Sequence, residues 1–233
     1  MYKKLARENT GTFTGKGIEF GGSLIRPEAT GYGNVYFLLE MLKTRNIDIK
    51  GKVVAVSGSG NVAIYAIEKA EQLGAKVISC SDSSGYIIDE NGIDVKALKQ
   101  IKEVERKRVK EYLNYHPEAT YGEGSVWDNV ICDVALPCAT QNEINKAEAQ
   151  RLADSGCYAV CEGANMPTNA EATEVFLQRD ILFIPGKASN AGGVATSALE
   201  MGQNSIRSSW TFDEVDAKLK GIMINIYYHM KEA

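Results

Sequence analysis

The sequence predicts an α/β fold, with an open and mostly parallel sheet that carries helices on both faces. Short runs of β-branched and apolar residues alternate with stretches of helical spacing along most of the 233 residues. The run at 52–57 (KVVAVS) is almost continuously apolar, which is typical of a parallel strand buried on both faces. Loops rich in glycine and amide side chains follow several such runs, at the edge where these sheets bind ligands.

The predicted elements follow one another in a regular order. A helix begins at about Asn61 directly after the first strand, and Gly74 is placed to end it at Leu73. Strands are predicted at 52–57, 76–80, 131–136, 158–161 and 181–184. The other helices are predicted at 28–45, 94–116 (long and charged), 143–154, 170–179, 190–208 and 213–230.

Composition excludes several classes of protein. Apolar residues make up 44% and charged residues 24%, as in ordinary globular proteins, so disordered and fibrous architectures are excluded. The net charge of −4 argues against nucleic acid or an anionic membrane as the main partner. No apolar run reaches the ~18 residues that a membrane span needs, and residues 1–10 lack the apolar core of a secretory signal. We therefore expect a cytoplasmic protein with small-molecule partners.

The cysteines predict neither a disulfide framework nor a metal site. The chain has 5 of them and no CxxC pair. Only Cys157 and Cys161 are close enough in sequence to clamp a metal. However, 158–161 is predicted to be a buried strand, and His116 and His229 lie in distant segments. We expect buried, inert thiols.

The segment 58–63 (GSGNVA) has the spacing of a dinucleotide-binding turn. It follows a predicted strand and opens a predicted helix, which is the context that this pattern requires. Gly58 permits a tight turn, Gly60 lets the backbone approach a pyrophosphate, and Ala63 allows the helix to pack closely on the strand. The free N–H groups at the helix start would face the phosphates. A glycine turn that merely joins strand to helix is the alternative. We favour a Rossmann-like site, with candidate cofactor contacts at Gly58, Ser59, Gly60, Asn61 and Val62.

The end of the second strand leaves the choice of cofactor open. Asp82 stands where an acidic residue usually accepts a hydrogen bond from the adenine ribose and favours NAD. Ser83 and Ser84 beside it are suited to donate to a 2′-phosphate instead. Lys102 and Arg106 are spaced to share one helix face and could add positive charge, although a solvated face paired with nearby glutamates is the more ordinary interpretation.

Three later loops place small and amide side chains after predicted strands. They cover 137–142, 162–167 and 185–193, and together they form a plausible ligand crevice. Asn165 and Asn190 are alternatively placed to cap the helices that follow them. The candidate cofactor contacts in these loops are Ala139, Thr140, Asn165 and Asn190.

The domain organisation is expected to be simple. No Gly/Ser-rich or Pro-rich linker divides the chain, so we predict one dinucleotide-binding domain over 26–233. Residues 1–25 are predicted to be a loosely attached N-terminal stretch.

Five motifs closely resemble the hexameric bacterial-type glutamate dehydrogenases. The resemblance extends from about Thr14 to Tyr228, and its first and last motifs are highly specific. Related enzymes that act on leucine or phenylalanine share the general fold, but the first motif is similar to the glutamate enzymes. The motifs are GGSLIRPEATGYG (21–33), SGSGNVA (57–63), ALPCATQN (135–142), CEGANMP (161–167) and GKASNAGGVATS (186–197).

The resemblance implies reductive amination of 2-oxoglutarate by ammonia and the reverse oxidation of L-glutamate, with hydride passing to or from a nicotinamide. It implies that Thr30 and Asn61 contact the dinucleotide and that Asn165 and Asn190 lie near the ribose and nicotinamide. It also implies substrate contacts at Val194 and Ser197, with Arg26 near the cleft. Ser59 together with SDSSG (81–85) resembles the NADP-dependent members, so NADP is expected rather than NAD.

The chain also departs from the family. The resemblance implies an N-terminal substrate domain that holds catalytic lysines and an aspartate, and this chain begins after the corresponding region. No lysine–aspartate constellation here supplies acid–base chemistry, so we predict no catalytic residue in this chain and no activity for it alone. The alternatives are a non-catalytic dinucleotide-binding module or another amino-acid dehydrogenase. A homo-oligomer is expected of the full-length protein, and a monomer or weak dimer of this chain. Apolar surface is expected on 191–208 and 213–230.

Overall fold

The computed structural model describes residues 11–232 and confirms the predicted fold class. Its main sheet has five strands in the order β2-β1-β6-β7-β8, and every pairing within it is parallel. A smaller antiparallel sheet has the order β3-β4-β5. The strands are β1 (Val53–Val56), β2 (Lys76–Val77), β3 (Ser79–Asp82), β4 (Gly85–Ile88), β5 (Thr120–Gly122), β6 (Val134–Leu136), β7 (Ala159–Cys161) and β8 (Leu182–Ile184).

Helices cover both faces of the main sheet. Alternate strand residues point to opposite faces, so Val54 and Val56 join one hydrophobic core while Ala55 joins the other. The first core is closed by α1, α2 and α8, and the second by α4, α5 and the buried Trp127. The helices are α1 (Ala29–Lys43), α2 (Asn61–Gln72), α3 (Val95–Lys99), α4 (Lys146–Asp154), α5 (Ala170–Gln178), α6 (Gly186–Ser189), α7 (Gly192–Ile206) and α8 (Phe212–Glu232).

The prediction of one long helix at 94–116 is wrong. Asp94 caps α3, a π-helical turn continues over Gln100–Val104, and Arg106 then adopts a left-handed φ of 55°. A 3₁₀ helix follows at Val109–Asn114. The chain leaves the helix because the backbone N–H of Val109 donates to the Asp82 carboxylate at 2.9 Å, a partner outside the helix. Lys102 and Arg106 therefore do not share a helix face.

Two other boundaries differ from the prediction. The strand expected at 76–80 divides at Ile78, so that its first part pairs with β1 and its second part begins the antiparallel sheet. The expected helix at 190–208 corresponds to α7, and the short helix α6 precedes it and was not predicted. β4 and β5, which pair with each other in the small antiparallel sheet, were not predicted.

The cysteines are buried free thiols. Cys157 belongs to one hydrophobic core and Cys161 to the other, on opposite faces of the sheet. The local clamp that their spacing allowed therefore does not form. None of the helices described between residues 11 and 232 combines the length with the apolar composition that a membrane span requires.

The described part of the N-terminal stretch is attached to α7 by hydrogen bonds. The buried carboxylate of Glu200 in α7 accepts hydrogen bonds from the backbone N–H groups of Gly15 and Lys16 and from the Lys16 ammonium. Asn204 also donates to the carbonyl of Gly21. Residues 1–10 lie outside the described residues, and the domain boundary at residue 25 stays a prediction.

Exposed apolar side chains lie on both α7 and α8, where the sequence predicts apolar surface. The most exposed on α7 are Val194 at 71% and Ile206 at 66%. Self-association through this surface stays a prediction. The other exposed apolar residues on these two helices include Met201, Tyr228 and Met230.

Close packing of α1 on α2 depends on Gly31. A Cβ atom added there would lie 2.5 Å from the Ala66 nitrogen and 2.6 Å from the Val62 oxygen, and neither backbone atom can move easily. We expect Gly31→Ala to lower the free energy of unfolding by ~1–3 kcal/mol through overpacking, as measured by urea denaturation.

Gly221→Ala is the matched control for that measurement. Gly221 also lies within a helix, but nothing lies within 4 Å of its added Cβ. The free energy of unfolding of this variant should rise by ~0.5–1 kcal/mol, because alanine is a better helix former than glycine. Equal effects of the two substitutions would contradict the role given to Gly31.

Candidate functional site

The glycine turn after β1 leaves the start of α2 open. Gly58 has a left-handed φ of 86°, and a Cβ there would lie 2.9 Å from the Cys138 carbonyl oxygen, so glycine is required. Gly60 is the N-cap of α2 and supplies no side chain, and nothing lies within 4 Å of its added Cβ. The helix start therefore presents N–H groups and a positive dipole end without a side-chain cap.

Two of the other strand-to-helix connections of the main sheet have side-chain caps, whereas the connection after β8 has none and its Gly186 N–H donates to Glu162 instead. The side chain of Asn145 accepts from the first turn of α4 in a capping box, and that of Asn169 does so for α5. Asn165, which the sequence offered as a cap for α5, does not serve as one. Its amide oxygen instead accepts a hydrogen bond from the Asn190 side chain at 2.7 Å.

Two adjoining cavities lie at the carboxyl edge of the sheet. The nucleotide cavity, our name for the one beside Gly58–Gly60, has a volume of about 490 Å³. The second cavity, of about 710 Å³, lies beside Thr30 and Ser197. Cys138 and Ala139 line both, so the loop after β6 separates them.

The two cavities bring together most of the predicted site residues. Asn61 and Ser84 line neither cavity. The predicted residues that line the nucleotide cavity are Gly58, Ser59, Gly60, Asp82, Ser83, Ala139 and Thr140. Those that line the second cavity are Thr30, Val62, Ala139, Asn165, Asn190, Val194 and Ser197.

The Asp82 carboxylate is occupied by donors from its own chain. One oxygen accepts from the backbone N–H and the hydroxyl of Ser84, and the other accepts from the Lys102 ammonium and the Val109 N–H, all within 2.9 Å. Burial acts to raise the pKa of Asp82, but these hydrogen bonds outweigh it and lower the pKa to about 2. Asp82 is thus an ionised anchor for the segment that follows α3.

Positive charge reaches the rim of the nucleotide cavity through this segment. Lys102 pairs with Asp82 rather than with the glutamates beside it, and it also donates to the carbonyl of Lys107. Arg108 donates to the Ser83 hydroxyl, and Ser83 lines the cavity. In the sequence, Arg106 was the alternative candidate for a second cation beside Lys102, with a solvated helix face favoured. In the structure the chain turns at Arg106, and it is Arg108 that contacts Ser83 at the cavity rim.

The residues that form the opposite wall of the nucleotide cavity were not predicted from the sequence. This wall is formed by residues 124–127, which reach the cavity from the loop after β5, together with Glu143. The Glu143 carboxylate accepts from the indole N–H of Trp127 at 3.0 Å and from the N–H of Ala139 at 3.0 Å. Burial raises the pKa of Glu143 despite these donors.

The second cavity has two cations and one buried carboxylate beneath it. Arg26 and Lys187 line it, and the Arg26 Nε atom is buried without a hydrogen-bond partner among the described residues. Below them, Glu162 accepts from the N–H groups of Thr168 and Gly186 at 3.1 and 2.7 Å. Glu162 thereby joins the loops that follow β7 and β8, and residues of both loops line the cavity.

The chain is similar to several glutamate dehydrogenases. It is 60% identical over 230 residues to the glutamate dehydrogenase of Bacteroides thetaiotaomicron, covering 97% of this chain and 52% of that protein. It is 58% identical to the NAD(P)-specific enzyme of Xylanibacter ruminicola, covering 97% and 52%. It is 56% identical to the NADP-specific enzyme of Haemophilus influenzae, covering 99% and 52%. The chain thus spans about half the length of these relatives.

The fold is similar to solved structures as well. Plasmodium falciparum glutamate dehydrogenase 2 superposes with a TM-score of 0.94 at 49% identity, covering 97% of this chain and 50% of that chain. The sequence profile described as glutamate/leucine/phenylalanine/valine dehydrogenase matches residues 21–233. The uncapped glycine turn and its two cavities are therefore those of a member of this family, to which the chain belongs.

Proposed function

We propose that this chain is the cofactor-binding part of an NADP-dependent glutamate dehydrogenase. In that enzyme, hydride passes between NADP(H) and L-glutamate, or 2-oxoglutarate with ammonia. The observation that carries the proposal is the uncapped start of α2, which opens on a cavity with Arg108 at its rim. A helix start of this kind binds phosphate, and the arginine suits a second phosphate on the ribose.

The residues of the nucleotide cavity fit a dinucleotide. Gly58 and Gly60 allow the backbone to approach a pyrophosphate, and the N–H groups at the start of α2 are free to donate to it. The hydroxyls of Ser59 and Ser83 are available on the cavity wall. When bound, NADP supplies the acceptor of a hydride, and NADPH supplies its donor.

The choice of NADP over NAD rests on charge. Asp82 already accepts four hydrogen bonds from its own chain, so it has little capacity left for a ribose hydroxyl. Ser83 and Arg108 offer donors beside it. The relative from Haemophilus influenzae is NADP-specific and that from Xylanibacter ruminicola is NAD(P)-specific, so weaker use of NAD is compatible with the family.

The second cavity suits a carboxylate substrate. Arg26 and Lys187 supply positive charge there, and the Ser197 hydroxyl and the Asn165 and Asn190 amides supply hydrogen-bonding groups. We infer that Ser197 and Val194 meet the substrate, and that Asn165 and Asn190 meet the nicotinamide end of the cofactor. We further infer that the whole protein is a homo-oligomer.

Cofactor preference gives the first test of this function. In a fluorescence titration, the purified chain should bind NADPH more than about tenfold tighter than NADH, which corresponds to ~1.4 kcal/mol. Arg108→Gln should remove most of that preference, because it removes a charged donor at the site proposed for the 2′-phosphate.

Arg106→Gln is the matched control, because Arg106 is an exposed arginine of the same segment. It should leave the preference unchanged. Equal or reversed preference in the unmodified chain would mean that the assignment of NADP is wrong.

The chain alone should bind the cofactor without turnover. Among the described residues that line the second cavity there is no carboxylate or histidine to exchange protons with an amine. A spectrophotometric assay with glutamate and NADP should show no formation of NADPH by the pure chain. Detectable glutamate-dependent reduction would overturn this expectation.

The role of Asp82 as an anchor predicts a dependence of stability on pH. Its pKa is about 2 in the folded chain and ~3.9 when unfolded. Its contribution is therefore complete above about pH 4 to 5 and is lost as the pH falls toward 2. The difference in unfolding free energy between the wild type and Asp82→Asn should shrink over that range in urea titrations.

The exposed pair of Asp128 with Arg151 provides the control for this measurement. Asp128→Asn should change stability little at any pH, because exposed ion pairs contribute only ~0–1 kcal/mol. If the difference in unfolding free energy between the wild type and Asp82→Asn stays constant down to pH 2, Asp82 does not have the proposed stabilising role.

A further inference from the structure

The loop formed by residues 138–140 is the part of the chain that the two cavities share. Cys138 and Ala139 line both cavities, and Thr140 lines the nucleotide cavity. The loop also packs closely against the glycine turn, since an added Cβ at Gly58 would lie 3.0 Å from the Ala139 Cα atom. A displacement of this shared loop would therefore change both cavities and the distance between them.

Glu143 fixes the outer end of the shared loop. One of its carboxylate oxygens accepts from the N–H groups of Ala139 and Thr140, at 3.0 and 3.3 Å. The other accepts from the Trp127 indole N–H at 3.0 Å. Trp127 is 1% exposed and forms the opposite wall of the nucleotide cavity. A single carboxylate thus connects the shared loop to that wall.

Placing a carboxylate at this position costs free energy, which indicates that the connection between the shared loop and the Trp127 wall has a role. A carboxylate on the wall of a cavity proposed to hold phosphates repels such a ligand, and its burial also costs free energy. Burial raises the pKa of Glu143, as expected for a desolvated acid. Glu143 does not cap a helix either, because α4 begins at Lys146 and is capped by Asn145. Its donors are instead the shared loop, the Trp127 wall and the Ser57 hydroxyl at the end of β1.

We propose that Glu143 is a positioning residue that holds the shared loop against the Trp127 wall, so that one dinucleotide spans both cavities. This inference rests on the proposed binding of NADP. It assigns to Glu143 no contact with the reacting atoms and no exchange of protons. The role that we assign to Glu143 is to fix the position of the second cavity relative to the nucleotide cavity.

Glu143→Gln tests the proposal with a small change of shape. The glutamine oxygen can still accept from Ala139 and Thr140, but its NH₂ group then faces the Trp127 N–H as a second donor, which breaks the connection. Glu148→Gln is the matched control. Glu148 also accepts a backbone N–H, from Asn145 at 2.7 Å, but it lines neither cavity.

The measurement compares two ligands with each variant of the full chain. NADPH reaches across both cavities, whereas adenosine 2′,5′-bisphosphate requires only the nucleotide cavity. Glu143→Gln should weaken NADPH binding about tenfold or more relative to any change in adenosine 2′,5′-bisphosphate binding. Loss of the carboxylate charge affects both phosphate ligands, whereas a changed distance between the cavities affects NADPH alone. A loss of one buried hydrogen bond is enough for an effect of that size. Glu148→Gln should change both affinities by less than about twofold, even where it lowers the melting temperature.

Tryptophan fluorescence gives a readout that does not need the ligand. The chain has two tryptophans, and in the background of Trp210→Phe the emission reports on Trp127 alone. Glu143→Gln should shift that emission, and Glu148→Gln should not.

The outcomes separate the two proposals. If the wild type binds NADPH and Glu143→Gln binds both ligands as the wild type does, the role of Glu143 is overturned and the proposed function stands. Equal weakening of both ligands, or an equal effect of Glu148→Gln, also overturns it, because either result indicates only general destabilisation. If the wild type binds neither ligand, both proposals fall.

Discussion

Partly or fully buried carboxylates that accept backbone N–H groups hold the loops at the carboxyl edge of the main sheet. Strands end there, and the amides that leave the sheet need partners away from water. Asp82 accepts from N–H groups in the turn after β3 and at Val109, where a 3₁₀ helix begins. Glu143 accepts from the loop after β6, and Glu162 accepts from the loops after β7 and β8. The cavities lie between these loops, so their shape depends on the three carboxylates.

The start of α2 stands in contrast to these loops. No side chain caps it, whereas α4 and α5 at the same edge are capped by asparagines. A negative group brought to this position gains hydrogen bonds that the chain itself does not supply there. Asp82, Glu143 and Glu162 keep other amides at this edge occupied. The start of α6 also lacks a side-chain cap, but its Gly186 N–H already donates to Glu162. The N–H groups at the start of α2 therefore stay open to an anionic ligand.

The sequence predicted the elements that are determined by neighbouring residues. It failed where a contact with a residue far away in the chain determines the structure. Apolar runs predicted the parallel strands, and the spacing of Gly58 and Gly60 predicted the open turn. The expected helix at 94–116 has helical spacing and strong charge, yet it breaks because Val109 donates to Asp82, 27 residues earlier. Glu143 gave no signal, since an acidic residue shortly before a helix usually belongs to that helix.

Asp82 shows why the cofactor could not be decided from the motif alone. An acidic residue after the second strand reads the ribose hydroxyl only if its carboxylate faces the ligand with lone pairs to spare. Here Lys102 and Val109 take one oxygen and Ser84 takes the other. The same contacts bring Arg108 to Ser83 at the cavity rim. A residue that in isolation favours NAD therefore helps to organise, through its partners, a surface suited to the additional phosphate of NADP.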